Sequence, residues 1–160
     1  MKPIKQDKEN FMKSVQTVFS NKFKDIINRQ VFTISAFEPV SEAAYLMRNE
    51  DIGALIVVDK DNKPIGIITD RDLVVSVIAE RINPAEVSVE DIMTKDPITV
   101  DENTDLYDIL RTLPEHSVRR LPVTQNGKLS GIVSIDDLIV IVATELANLA
   151  MAMSSKSKVI

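Results

Sequence analysis

Gly131-Ile132-Val133-Ser134-Ile135-Asp136-Asp137 decides how this chain reads, because it has an earlier twin in Gly66-Ile67-Ile68-Thr69-Asp70-Arg71-Asp72. Each stretch runs from a glycine through the last turn of an apolar strand to a hydroxyl residue at a strand-to-helix junction. A carboxylate follows three residues later. The two glycines stand 65 residues apart, so one small polar device is built twice. Working outward, the repeat widens. Phe23-Lys24-Asp25-Ile26-Ile27-Asn28-Arg29-Gln30-Val31-Phe32-Thr33-Ile34 matches Val89-Glu90-Asp91-Ile92-Met93-Thr94-Lys95-Asp96-Pro97-Ile98-Thr99-Val100, position for position. The offset is 66 residues, becoming 65 after one residue is lost near the Lys60–Lys63 turn. Self-similarity on this scale sets the architecture before any local reading does.

Within each copy a short strand (Val31–Ile34, Ile98–Val100) leads into a helix. Val40, Ala43, Ala44 and Met47 fall at i, i+3, i+4 and i+7, as do Leu106, Ile109, Leu110 and Leu113. Pro39 suits the first helical turn, and Thr104 is an N-cap candidate. Two apolar strands follow, Ala54–Val58 with Ile65–Thr69 and Leu121–Thr124 with Leu129–Ser134. Asn126-Gly127 joins the second pair and is a strong tight-hairpin signal. A second helix closes each copy, Arg71–Ala79 and Asp136 to about Met151. The expected fold class is therefore α/β of the α+β kind, with two βαββα repeats of small mixed sheets flanked by helices. The expected division is an amphipathic helix in 1–22, carrying Phe11, Val15, Val18 and Phe19 on one stripe, repeat one at 23–80, a connector at 81–88, repeat two at 89–153 and a polar tail at 154–160.

Composition narrows the function. The chain has 160 residues and no cysteine, which removes disulfides, thiolate metal sites and a cysteine nucleophile. A single histidine, His116, cannot build a multi-histidine metal centre, and it reads as an exposed loop residue. Net charge is −5 and aromatics are 4%, so neither a basic face nor stacking aromatics favours nucleic acid. The start is polar, without the apolar core of a signal peptide. The run Leu138–Met153 is interrupted by Glu145 and Asn148 and is shorter than the roughly 20 residues a bilayer requires. The expectation is a cytoplasmic protein that binds neither nucleic acid nor membrane.

The doubled pattern resembles a tandem pair of cystathionine-β-synthase (CBS) domains, or Bateman module, over about residues 23–146. The resemblance rests on Asp91-Ile92-Met93-Thr94, on Ile52-Gly53-Ala54-Leu55-Ile56-Val57-Val58-Asp59, on Val118-Arg119-Arg120-Leu121-Pro122-Val123, and on the two glycine-to-aspartate motifs. It implies repeats related by a pseudo-twofold axis, with clefts that commonly take AMP, ADP, ATP, S-adenosylmethionine or cyclic dinucleotides. It also implies that two modules pair through their helices, which suits the apolar final helix here and gives an expected homodimer.

Two readings of the motif stand side by side. Thr69-x-x-Asp72 and Ser134-x-x-Asp137 satisfy capping-box spacing, with no ligand required. A helix N-terminus also suits phosphate, and an ionised aspartate is an acceptor able to take both ribose hydroxyls. On the ligand reading, Asp72 and Asp137 hold ribose while Thr69 and Ser134 approach the phosphate. The copies differ: Arg119-Arg120 aligns with Gly53-Ala54. In the resembled family a basic residue before this strand often faces the phosphates, which marks Arg120, then Arg119 and Arg71, as phosphate contacts. The resemblance places Thr33 and Thr99 at the base, with Ile34, Val100, Ile52 and Val118 as apolar walls.

The expected function is a stand-alone regulatory module that requires no cofactor or metal, senses an adenosyl ligand and signals to a protein target. The alternative is a ligand-free dimerisation or interaction module whose motifs are helix caps. No nucleophile–base pair, metal cluster or Walker-type loop is legible, so no enzyme is expected.

Overall fold

The computed structural model describes residues 23–106, 108–110 and 119–156. The expected N-terminal helix, Leu113, His116, Val118 and the last four residues lie outside that range. The chain divides into two compact units. One comprises 28–102 with 121–132; the other contains the described parts of 1–27, 103–120 and 133–160.

From Asn28 onward the first repeat lies in the larger unit. β1 (Thr33–Ser35), α1 (Val40–Glu50), β2 (Ala54–Val58) and β3 (Pro64–Thr69) follow in order, and α2 (Asp70–Leu73) continues into a π-helical turn, Val74–Ile78. β1 runs parallel to β2 with Thr33 opposite Ile56, and β2 runs antiparallel to β3 with Ala54 opposite Thr69. This register delivers the end of β3, and so the first motif, beside Gly53. Alternation sends Ile34, Leu55, Val57 and Ile68 to one face, where they pack with Ala43, Met47 and Val89. α1 buries Val40, Ala43 and Met47. Ala44, expected on the same stripe, is exposed: Val40, Ala43 and Met47, with Leu46 partly buried against the core, already cover the inward face over about two turns.

Pro39 sits one position earlier than expected. It is the N-cap, with ψ 148°, and not the first helical residue. No side chain caps α1. Instead the amides of Val40 and Ser41 donate to the carbonyls of Val87 and Pro84 at 2.9 and 3.0 Å, so the connector satisfies orphan donors that helices usually assign to a cap.

After α3 (Val89–Ile92) comes a strand the sequence reading did not separate, β4 (Thr94–Lys95), which pairs antiparallel with β3 through Thr94 and Ile67. The sheet order is β1-β2-β3-β4. The repeat-equivalent of that pairing is an antiparallel bridge between Asn28 and Ile132, closed by two 3.0 Å hydrogen bonds. The lead-in of each repeat therefore adds to the sheet of the other.

The second sheet has the order β5-β6-β7, made of Val100–Asp101, Arg120–Gln125 and Lys128–Ser134. β5 pairs parallel with β6 through Val100 and Val123. The helix between them begins at Leu106, with Asp105 and not Thr104 supplying the first carbonyl, which accepts from the amides of Asp108 and Ile109. Glu102, 8% exposed, accepts from Arg29 at 2.9 Å and from Gln125. This cluster around one buried carboxylate had no sequence signal, because its members lie far apart in the chain.

Asn126 and Gly127 both take positive φ, 52° and 77°, as a type I′ hairpin demands. Nothing lies within 4 Å of a Cβ built at Gly127, so the cost of a side chain there is one of backbone alone. Gly127→Ala should destabilise the protein by about 1–2 kcal/mol, read as a lower urea midpoint at unchanged slope. Gly127→Asn, which tolerates this region, should recover most of the loss. α4 (Ile135–Lys156) completes the chain and is longer than expected, with Ser154–Lys156 of the supposed tail helical.

Candidate functional site

The first motif forms where β3 ends. Thr69 is extended and caps α2, its amide and hydroxyl both donating to Asp72 Oδ2 at 2.8 and 2.6 Å. The Asp72 amide donates back to Thr69 Oγ1 at 3.3 Å. The second motif repeats this at the start of α4. The Ser134 amide and hydroxyl donate to Asp137 Oδ2, and the Asp137 amide donates to Ser134 Oγ at 3.1 Å. In both motifs the hydroxyl proton is turned to the motif's own carboxylate, and Oδ1 of each aspartate has no hydrogen-bond partner among the described residues.

A third box, not recognised in the sequence, shows what this geometry means by itself. Ser88 donates from its amide and hydroxyl to Asp91 Oδ2 at 3.0 and 2.6 Å, and these bonds hold the Asp91 carboxyl below its usual range. Ser88 follows no apolar strand. The box is thus a helix-capping device first, and whatever distinguishes a binding site must come from its neighbours.

The neighbours differ between the copies. In the first, the Asp70 amide donates to the Gly53 carbonyl at 3.2 Å, and a Cβ at Gly53 would stand 3.0 Å from Asp70 Oδ2. In the second, the same joint is the Ile135 amide donating to the Arg119 carbonyl at 3.0 Å. One joint sets a carboxylate beside its motif; the other sets Arg119 and Arg120. Both arginines are exposed, and neither guanidinium is hydrogen-bonded or ion-paired to a described residue. Arg71 is also exposed; its side chain bonds to no described residue, and its amide donates to Asp70 Oδ1 at 2.7 Å.

The family model of the CBS domain matches residues 23–78 and again 89–144, which together make up most of the chain. The chain belongs to the CBS-domain family. Protein MK0525 of Methanopyrus kandleri is 40% identical over 116 residues, 72% of this chain and 59% of the relative, so the chain spans little over half of that protein's length. Hypoxic response protein 1 of Mycobacterium tuberculosis is 34% identical over 115 residues, covering 72% of this chain and 80% of the relative. A crystal structure of Hypoxic Response Protein I with two coordinated zinc ions superposes with TM-score 0.65 at 34% identity, over 72% and 94% of the two chains. A hexameric CBS-CP12 protein from bloom-forming cyanobacteria superposes with TM-score 0.64 at 31% identity, over 72% and 68%.

In the larger unit, Thr33 and Ile34 line a cavity of about 640 Å³ that also takes in Ser35, Phe37, Lys60 and Glu90. Neither Thr69 nor Asp72 lines it, because the motif lies at the Gly53 end of the sheet and this cavity at the Val58 end. Ile34 also belongs to the core, and Ile52 packs against it; Ile52 is a packing residue before it is a wall. In the second CBS domain Thr99 is exposed and Val100 is buried in β5. Gly66 is explained by packing: a Cβ there would collide with the Met93 side chain. Among the described residues no group of three or more His, Asp or Glu is placed to hold a metal. No helix there is long and apolar enough to cross a membrane.

Proposed function

We propose that this CBS-domain pair is a regulatory binding module for a phosphorylated adenosyl ligand, taken up mainly at the motif of the second domain. The observation that carries this is the joint between Ile135 and Arg119, which ties the backbone of the exposed pair Arg119-Arg120 to the start of the helix that carries Asp137. Guanidinium matches phosphate with paired hydrogen bonds, and the aspartate is an acceptor for ribose hydroxyls. Ser134 would exchange its bond to Asp137 for one to phosphate. The first motif, with Asp70 where the second has an apolar residue and glycine where the second has arginine, suits an uncharged or weakly held ligand. Signalling to a protein target follows from differential affinity: a ligand favouring one arrangement of the pair shifts the population toward it.

The module acts as a homodimer in this reading, supported by exposed Val74, Val75 and Ile78 after the first motif and Val140 and Met151 on α4. It is a cytoplasmic binding protein and not an enzyme, a reading supported by the absence of cysteine and the single histidine. The same composition argues against carrying over the zinc of the mycobacterial relative. A ligand-free interaction module is the second reading, favoured by the Ser88–Asp91 box, which forms the same cap outside the two glycine-to-aspartate motifs.

A thermal-shift panel of AMP, ADP, ATP, S-adenosylmethionine and cyclic di-AMP separates the two. A ligand at about 100 times its dissociation constant adds about 2.7 kcal/mol, a rise of about 5–10 °C for a chain this size. A shift with one or more phosphorylated members supports the sensor. No shift with any member leaves the caps as caps.

A further inference from the structure

The first CBS-domain match begins at Phe23, so residues 1–22 are an addition to the family's fold in this chain. Their composition is distinctive. Five lysines against Asp7 and Glu9 make the segment +3, while the other 138 residues carry −8. Phe11, Val15, Val18 and Phe19 share one helical stripe.

Along α4 runs an apolar groove of about 310 Å³, walled by Leu110, Ile135, Leu138, Ile139, Val142 and Leu146. Leu138 is buried, but Ile139 and Leu146 are 61% and 62% exposed. We infer that the segment preceding Phe23 is helical and seats its Phe11–Phe19 stripe in this groove of its own chain.

The attachment point supports that occupant. Phe23 and Ile27 are buried, residues 23–26 are helical, and this stretch belongs to the same compact unit as α4. Phe19 lies four residues from Phe23 and cannot stray more than roughly 14 Å from it even if extended. The lengths agree as well: Phe11 to Phe19 spans about 12 Å of helix and Ile139 to Leu146 about 10 Å. Charge favours this occupant, since the segment carries +3 and the rest of the chain −8. Val140 lies about 100° round the helix from Ile139, so the stripe available for pairing stays open. The segment thereby protects one face of α4 and leaves the other to the partner.

The chain contains neither cysteine nor tryptophan, which makes the test clean. In the full-length protein, Val15→Cys or Val18→Cys is combined with Ala143→Cys, on the groove, and treated with a short bis-maleimide. The expected result is a cross-linked product of single-chain mass, most of which is lost when Leu146→Glu is added. A product only of two-chain mass, formed by mixing the single-cysteine proteins, would show a second copy in the groove and overturn the inference. No product from either pair would also overturn it. As an independent readout, Phe19→Trp should emit at short wavelength and shift red in Leu146→Glu; emission unmoved by the groove variant counts against docking.

Discussion

Ile68→Ala should lower stability by about 2–5 kcal/mol, a fall in Tm of about 4–20 °C at 2–4 °C per kcal/mol, measured by calorimetry. Ile68 is fully buried on β3 opposite Leu55 and packs with Val57, Ala43 and Met47. Its removal leaves a cavity walled by two strands and α1. Strands pinned on both sides cannot collapse into such a space, so both the transfer and the cavity terms are incurred. Val75→Ala is the matched control. Val75 is 52% exposed in the π-helical turn, and its change should stay within about 0.5 kcal/mol if the protein is held dilute. A loss at Ile68 no larger than at Val75 would mean that β3 is not the centre of this core.

Arg120→Ala should weaken AMP binding by about ten- to 150-fold, since a hydrogen bond to a charged group is worth about 1.5–3 kcal/mol and 1.4 kcal/mol is tenfold. Adenosine, lacking the phosphate, should bind the variant and the parent alike. Stability should hardly change, because Arg120 is exposed and engages no described side chain. Arg120→Lys should restore only part of the affinity, as an ammonium retains the charge without the paired donor geometry. Equal losses for AMP and adenosine would place Arg120 at the base or in the fold and not at the phosphate. Added salt separates the two further, since screening weakens an exposed charge pair and leaves ribose bonding largely intact.

Local chemistry was the legible part of this chain. Asn126-Gly127 announced a two-residue hairpin because only a few residues tolerate positive φ twice in succession, and both adopt it. The 65-residue echo of the motif revealed two repeats, and both boxes close as spacing requires. What stayed hidden depends on partners remote in sequence. β4 exists because Thr94 reaches Ile67, and nothing in Met93-Thr94-Lys95 advertises that edge. Gly66 is small because Met93 lies against it, a packing cause that a single stretch cannot disclose. Pro39 fits the first helical turn and the cap equally by φ; ψ was decided by the connector, whose carbonyls take the first amides of α1. The site was legible to the same extent. The carboxylates and hydroxyls were found by spacing and the Arg119–Gly53 difference by aligning the repeats, whereas the backbone joints of Asp70 with Gly53 and Ile135 with Arg119 emerged only from the fold.

The most direct test of phosphate recognition at the second motif is calorimetric titration of AMP into the unmodified protein, Asp72→Ala and Asp137→Ala. The expected result is saturable binding at about one AMP per chain, retained in Asp72→Ala and lost in Asp137→Ala, with only cap-scale destabilisation of about 0.5–2 kcal/mol in either variant. Binding that survives Asp137→Ala and disappears in Asp72→Ala would contradict the assignment and move the ligand to the first domain.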